Sequence, residues 1–258
     1  MIVLFFADII GKPGRDLLTE KLPALRKRYG ADAVIANGEN ATDGTGIRPS
    51  HAEALLGAGV DVITTGNHVW RQRDVYHYLD EQPRIIRPFN FLEANPGRGV
   101  TVVDTPAGRL GVVNLSGDLY MFPARSPFAA VDEALEQLHG VRSILVDLHA
   151  EATSEKVAMG WYLDGRVSAV IGTHTHVRTA DARVLPGGTA YMTDAGMCGP
   201  RDSVIGVKKE LVLERLLTQM PVRFEVAQGD VWLEGAAVEI GADGRALSVE
   251  PFEVGAAL

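Results

Sequence analysis

Five apolar runs in this chain each end on a side chain that can ligate a metal or move a proton. "IVLFFAD" closes on Asp8, "ADAVIANGEN" on Glu39 and Asn40, and "VDVITTGNH" on Asn67 and His68. "RSILVDLHA" carries His149, and "RVSAVIGTHTHV" presents His174 and His176. Apolar runs of this length, bounded by turn residues, read as buried strands. In the first half they alternate with helical patterns. "RDLLTEKLPALRKRYG" repeats leucine at 17, 18, 22 and 25, with Pro23 expected to kink or restart the helix. "PSHAEALLGAG" reads as a short helix closed by glycine, and "RQRDVYHYLDEQ" as another. Strand–helix alternation predicts parallel pairing. In open α/β sheets the ligand sits outside the carboxyl ends of the strands, so five such ends predict one site assembled from five directions.

The rhythm then changes. "RGVTVVDTPAGRLGVVNLSG" reads as a hairpin around a Pro-Ala-Gly turn. "SPFAAVDEALEQLHG" reads as a helix with Ser126 as N-cap and Pro127 in its first turn. Towards the end come β-runs "VRFEVAQG", "DVWLEGAAVEIG" and "RALSVEPF", with a helix, "VKKELVLERLLTQM", before them. No repeat, linker or low-complexity tract interrupts the 258 residues, so the expectation is a single mixed α/β domain over 1–258, parallel early and antiparallel late. An apolar content of 46% supplies a substantial core and makes a homo-oligomer plausible. A net charge of −8 argues against extended nucleic-acid binding. The lone Cys198 excludes a disulfide framework and a Cys-rich zinc site. The apolar N-terminus lacks a basic region and cleavage site and meets Asp8 too soon to span a bilayer. The chain is therefore expected to be soluble and cytoplasmic, with no membrane partner.

Taken singly, most of these polar residues have bland explanations. Asp8 after a strand is commonly a turn residue or cap, Asn-Gly in "NGEN" is a routine turn, and His149 could be a hydrogen-bonded structural histidine. His174 and His176 are harder to dismiss. A period of two places both imidazoles on one face of an extended segment, with Thr175 turned away, and two such lone pairs suit a metal. His51, His77 and His139 lack such a context. Cys198 has no basic neighbour to make it a nucleophile, Arg178 reads by default as a solvated cation, and Thr193, Asp194 and Ser203 read equally as a structural loop or as contacts to the site.

The order Asp, "NGEN", "GNH", a single His and "GTHTH" resembles the calcineurin-like metallophosphoesterases. The chain departs from their usual pattern: Ile10 replaces a ligand histidine, Glu39 the bridging aspartate, and Val69 the acidic residue after the third motif. Together with "YMFPARSPF", "DLHAEATSEK" and "TDAGMCGPRDSVIG", these departures resemble one branch, the bacterial YmdB-like phosphodiesterases, along essentially the whole chain. The resemblance implies an α/β fold with a β-sandwich core of mixed sheets flanked by helices and a metal site at the strand carboxyl ends. It implies two metal ions per chain, one held by Asp8, Glu39, Asn40 and His176, the other by Glu39, Asn67, His149 and His174. Oxygen and imidazole donors without thiolate suit iron or manganese, with zinc a third option. Only Asp8 and Glu39 among these carry charge, so two divalent ions stay net positive and an acidic protein can bind an anionic ester. The implied activity is cleavage of a small phosphodiester, 2′,3′-cyclic AMP first and 3′,5′-cyclic AMP second. The implied mechanism is attack of a metal-bridging hydroxide with His68 as general acid. The alternatives are a dinuclear phosphomonoesterase and a non-catalytic metal- or nucleotide-binding regulator; an amidohydrolase would order its histidines the other way. No residue reads a base or ribose recognisably, so the substrate-binding residues stay unassigned.

Overall fold

A computed structural model describes residues 1–122 and 125–256. Pro123 and Ala124, inside "YMFPARSPF", and the last two residues lie outside the described residues. Along the chain the elements are β1 (Ile2–Phe6), β2 (Asp8–Ile9), α1 (Gly11–Tyr29), β3 (Ala33–Asn37), α2 (Pro49–Ala58), β4 (Val62–Thr64), α3 (Val75–Glu81), β5 (Val100–Thr105), β6 (Gly108–Ser116) and α4 (Pro127–Gln137). There follow β7 (Ser143–His149), α5 (Thr153–Tyr162), β8 (Ala169–Thr173), β9 (Arg183–Val184), β10 (Ala190–Met192), β11 (Met197–Pro200), α6 (Lys209–Thr218), β12 (Val231–Ile240) and β13 (Ala246–Gly255).

The strands form two sheets. One runs β2-β11-β12-β1-β3-β4, with β13 also paired to β12; the other runs β5-β6-β7-β8-β10-β9. In the first, β1, β3 and β4 are parallel and β12 returns antiparallel to β1. In the second, β6, β7, β8 and β10 are parallel. Parallel pairing thus continues past the middle of the chain, beyond the early half where the alternation predicts it.

The period of two along a strand divides the core into layers. Val3 and Phe5 of β1 pack with Leu110, Leu145 and Ile171 of the second sheet, while Leu4 and Phe6 face α1, α2 and α3 through Leu18, Leu55 and Leu79. On the far side, Leu115, Val146 and Leu148 pack against α4 and α5. The result is a two-sheet sandwich with helices on both outer faces. Each buried Leu, Val or Phe contributes about 1.5–3 kcal/mol relative to exposure.

Most elements fall where the patterns put them, with four corrections. α1 runs unbroken through Pro23, because its leucines are seated on the sheet and tertiary packing outweighs one lost backbone bond. "VRFEVAQG" is not a strand: only Val226 pairs, in a single bridge with Val207. The α3 helix begins at Val75, after a 3₁₀ turn at Val69–Arg71. The helix α5 has no counterpart in the sequence reading; its Gly160 lies flat against the Tyr191 ring, where a Cβ would come within 2.4 Å. Among the described residues no helix is long and apolar enough to cross a membrane.

Candidate metal centre

The carboxyl ends of β1, β3 and β4 in one sheet meet those of β7 and β8 in the other, and the five strand-end groups converge there. Asp8, Glu39 and His149 are completely buried and Asn40 nearly so. Glu39 Oε1 stands between two sets of donors. On one side it is 3.1 Å from His149 Nε2, which lies 3.1 Å from both Asn67 Oδ1 and His174 Nδ1. On the other, Oε1 accepts from Asn40 Nδ2 at 3.2 Å, and that amide nitrogen also lies 3.1 Å from His176 Nε2 and 3.4 Å from Asp8 Oδ1. Ligand atoms of Glu39, His149 and His174 all fall within 4.8 Å of one another. Only glycine fits beside them at 66, since a Cβ there would come within 2.2 Å of His149 Cδ2 and 2.3 Å of Glu39 Oε2.

The two histidines of "GTHTH" reach the site by a different route from the one their spacing suggests. β8 ends at Thr173, and His174 and His176 take φ of +97° and +62°. Left-handed backbone at two non-glycine residues costs free energy and persists only where the surroundings impose it. Here Asp194 imposes it. Its Oδ2 accepts the Thr175 N–H at 3.1 Å, the Thr175 hydroxyl at 2.7 Å and the Lys156 ammonium at 2.7 Å. Thr175 is thus turned away from the site and pinned, and its neighbours swing inwards on either side.

The partners of the imidazoles fix which nitrogen faces the site. The Ile205 carbonyl can only accept, so His176 Nδ1, 3.0 Å away, donates and Nε2 is the nitrogen turned to the site. The His149 Nδ1–H donates to Thr173 Oγ1 at 2.9 Å, and that hydroxyl donates to Asp147 Oδ1 at 2.7 Å, which turns Nε2 towards Glu39, Asn67 and His174. His174 Nε2 lies 3.0 Å from Glu151 Oε2, turning Nδ1 inwards. His149 Nε2 and His174 Nδ1 then lie 3.1 Å apart, close enough to share one proton or one cation.

The buried carboxylates and imidazoles shift one another's ionisation. Burial raises the Asp8 and Glu39 carboxyls, but His176 and His149 outweigh it, holding Asp8 below and Glu39 well below the ordinary value. Burial lowers His149 and His176, and the carboxylates overcome it, raising His149 and taking His176 to about 9. Burial and the neighbouring His149 push His174 down to about 4. Burial carries Asp147 up to about 6 against the pull of His149, Thr64 and Thr173. Two fully buried carboxylates are therefore answered only by imidazoles and amides, a donor set that fits divalent cations.

His68 sits at the edge of this cluster. Its Nδ1 is 2.7 Å from Asn40 Oδ1 and 3.2 Å from Glu39 Oε1, and its backbone N–H donates to Glu39 Oε2 at 3.1 Å. Val69 explains the missing acidic neighbour: it is fully buried in the core behind the site, and Asn40 and Glu39 hold the ring instead. Ile10, also buried, packs against Gly199 and Gly206. Cys198 is buried, donates to the Glu234 carbonyl, and has its thiol pushed up by burial. Arg178 pairs with Glu253 at 3.0 Å. The Ser203 hydroxyl donates to the Pro200 carbonyl and accepts from the Gly206 N–H, locking a turn; Thr193 hydrogen-bonds Asp181. Supporting residues absent from the sequence reading are Asn37, Asp147, Lys156, Thr173 and Ile205. Asp147 alone left a signal, a carboxylate inside an otherwise apolar strand run.

Comparison with known proteins gives the same frame. Residues 4–252 match the family described as YmdB-like protein. The 2′,3′-cyclic-nucleotide 2′-phosphodiesterase of Bacillus subtilis is 46% identical over 241 residues, covering 93% of this chain and 91% of that protein. A crystal structure of a hypothetical protein from Thermus thermophilus superposes with a TM-score of 0.93 at 42% identity, covering 99% of each chain. A novel phosphatase from Mycoplasma pneumoniae gives 0.92 at 35% identity, covering 99% of this chain and 93% of that one.

Proposed function

This chain belongs to the YmdB-like family of metallophosphoesterases, and from that premise we propose that it is a phosphodiesterase hydrolysing 2′,3′-cyclic nucleotides at a divalent-metal centre. The observation that carries the reading is Glu39 standing between two donor sets at 3.1 and 3.2 Å. Asp8, Asn40 and His176 would hold one ion and Asn67, His149 and His174 the other, with Glu39 shared. Iron or manganese suits these donors first, and zinc after them. When bound, such a pair of ions supplies an acidified water as nucleophile and neutralises phosphate charge.

The chain's own residues supply the rest. Asn40 and Glu39 hold His68 Nδ1, so Nε2 is the ring nitrogen left to carry a proton to the leaving oxygen. Water adds its oxygen to phosphorus, the bond from phosphorus to the 2′-oxygen breaks, and His68 protonates that alkoxide to give the 3′-monophosphate. The substrate preference follows the name of the B. subtilis relative; 3′,5′-cyclic AMP is the second candidate. Self-association belongs to the same proposal. The α6 helix buries none of its residues and exposes Leu213, Leu216 and Leu217, with Met220 exposed just beyond its end, a face a second copy would cover, with sedimentation velocity as the check.

The test is hydrolysis of 2′,3′-cyclic AMP by the purified protein with manganese and after chelation, the products separated against 2′- and 3′-AMP. Metal-dependent formation of 3′-AMP is expected. Formation of 2′-AMP would refute the bond assignment. No turnover of any cyclic nucleotide by protein holding both ions would overturn the phosphodiesterase reading in favour of a regulator or a monoesterase.

A further inference from the structure

Beside the metal centre lies a cavity of about 370 Å³ whose inner wall is Asn40, His68 and His176 and whose outer wall is apolar. That volume sits at the low end for ligand sites, about 300–1,000 Å³, room for one small organic group and not for an oligomer. The outer wall is unusual in leaving large apolar side chains in contact with water: Ile205 is 49% exposed, Phe224 41% and Val204 36%. Val226 and Val212 complete it.

This wall is built, not loose. Ile205 is held at φ +47°, a region that a β-branched residue occupies only under constraint. The constraint is visible on every side. Its carbonyl takes the His176 Nδ1–H at 3.0 Å, Val204 and Val207 pair with each other, and Val207 pairs with Val226. Gly206, at φ +96°, lies so close to Ile10 that a Cβ would meet its Cγ2 at 2.6 Å. The Lys208 N–H donates to the Glu225 carbonyl at 3.0 Å, and their side chains pair at 2.6 Å, fixing the segment that carries Phe224. The Arg215 guanidinium lies 5.2 Å from the Phe224 ring centroid and steadies it. The same strained peptide therefore shapes the apolar wall and orients a histidine of the metal centre.

Charge limits what can enter. Among the described residues no lysine or arginine lines the cavity, whereas the carboxylates of Asp43 and Glu225 do. With Glu225 paired to Lys208, a second phosphate would meet Asp43 and no lining lysine or arginine; an uncharged group bearing hydrogen-bond donors suits the cavity better. We propose that this cavity is the nucleoside subsite, with the base stacked on Phe224 against Ile205 and the 5′-hydroxyl unphosphorylated. The inference rests on the cyclic-nucleotide reading of the metal centre and extends it to named residues.

The experiment is calorimetric titration of the manganese-loaded protein with adenosine 3′-monophosphate, inorganic phosphate and adenosine 3′,5′-bisphosphate. For the wild type, the monophosphate should bind at least about tenfold tighter than phosphate, and the bisphosphate more weakly than the monophosphate. Phe224→Ala should weaken the monophosphate about tenfold, or ~1.4 kcal/mol, as expected for loss of base–aromatic stacking. Phosphate affinity should not move, and Phe224→Trp should retain the nucleotide. Equal affinity of the wild type for monophosphate and phosphate would overturn the proposal. So would a Phe224→Ala variant that loses both ligands together or neither, or a bisphosphate that binds tightest. Selective nucleotide binding through Phe224 in a protein that hydrolyses no cyclic nucleotide would uphold the subsite and refute the diesterase instead.

Discussion

Replacing Lys156 by methionine tests whether a buried ion pair that supplies no donor of its own to the site shapes the metal centre. The Lys156 side chain is only 2% exposed and its ammonium lies 2.7 Å from Asp194 Oδ2, itself fully buried. The methionine keeps most of the aliphatic volume on α5 and removes the charge. Leaving one partner of a buried pair uncompensated costs about 3–5 kcal/mol. Thr175 still offers two donors to Oδ2, and the Gly196 N–H still reaches Oδ1 at 2.9 Å, so the lower end, ~3 kcal/mol, is expected. For a chain of this size 1 kcal/mol corresponds to roughly 2–4 °C in Tm, hence a fall of about 6–12 °C in circular-dichroism melts of metal-free protein. Loosening Asp194 also frees Thr175, and with it the left-handed turns that bring His174 and His176 inwards. Metal affinity should then drop by about 10–100-fold, the usual effect of losing a supporting contact behind a ligand. Adding Asp194→Asn to Lys156→Met removes the orphaned charge and should recover part of the lost stability. A single variant within about 1 kcal/mol of wild type, or a double variant no better than the single, would refute the reasoning.

Gly66→Ala would place a methyl 2.2 Å from His149 Cδ2 and 2.3 Å from Glu39 Oε2; loss of bound metal by elemental analysis is expected, and a fully loaded variant would show the backbone there to be pliable. His68→Asn should keep both ions and slow cyclic-nucleotide hydrolysis by about 10²–10⁴-fold, the range for general-acid help. The loss should be smaller for a nitrophenyl diester, whose leaving group needs no proton, so equal losses on both substrates would count against the acid role. Chelation should abolish turnover and lower Tm, because ions that bind only the folded state stabilise it; manganese should restore both, and an unchanged Tm would argue against ions at this buried cluster.

How much of this could be read from the residue order depends on the distance over which each feature is decided. A strand's end is decided locally, by an apolar run meeting glycine or a polar group, so the convergence of Asp8, Glu39, Asn67, His149 and His174 follows from five local patterns plus the rule that parallel strands share a carboxyl edge. The "GTHTH" geometry is not local. Its alternation suggests an extended face, yet the strand stops at Thr173, and Asp194 and Lys156, supplied by two other segments, pin Thr175 and leave His174 and His176 on either side of it left-handed. Lys156 could not be singled out, because an isolated lysine on a short helix looks like any solvated one until its partner 38 residues away is known. The same holds for "VRFEVAQG", whose alternation fits a strand but whose Phe224 and Val226 face a cavity. Asp147 is the intermediate case: a carboxylate in a run otherwise fit for burial must find donors, but nothing local says they are Asn37, Thr64 and Thr173 from three different strands. Val69 makes the converse point. Read as a missing acid it leaves His68 without an orienting partner, whereas in three dimensions Asn40 and Glu39 hold the ring and position 69 is free to be core. Departures from a motif are therefore weak evidence of lost chemistry when the chain can return the same hydrogen bond from a neighbouring strand end.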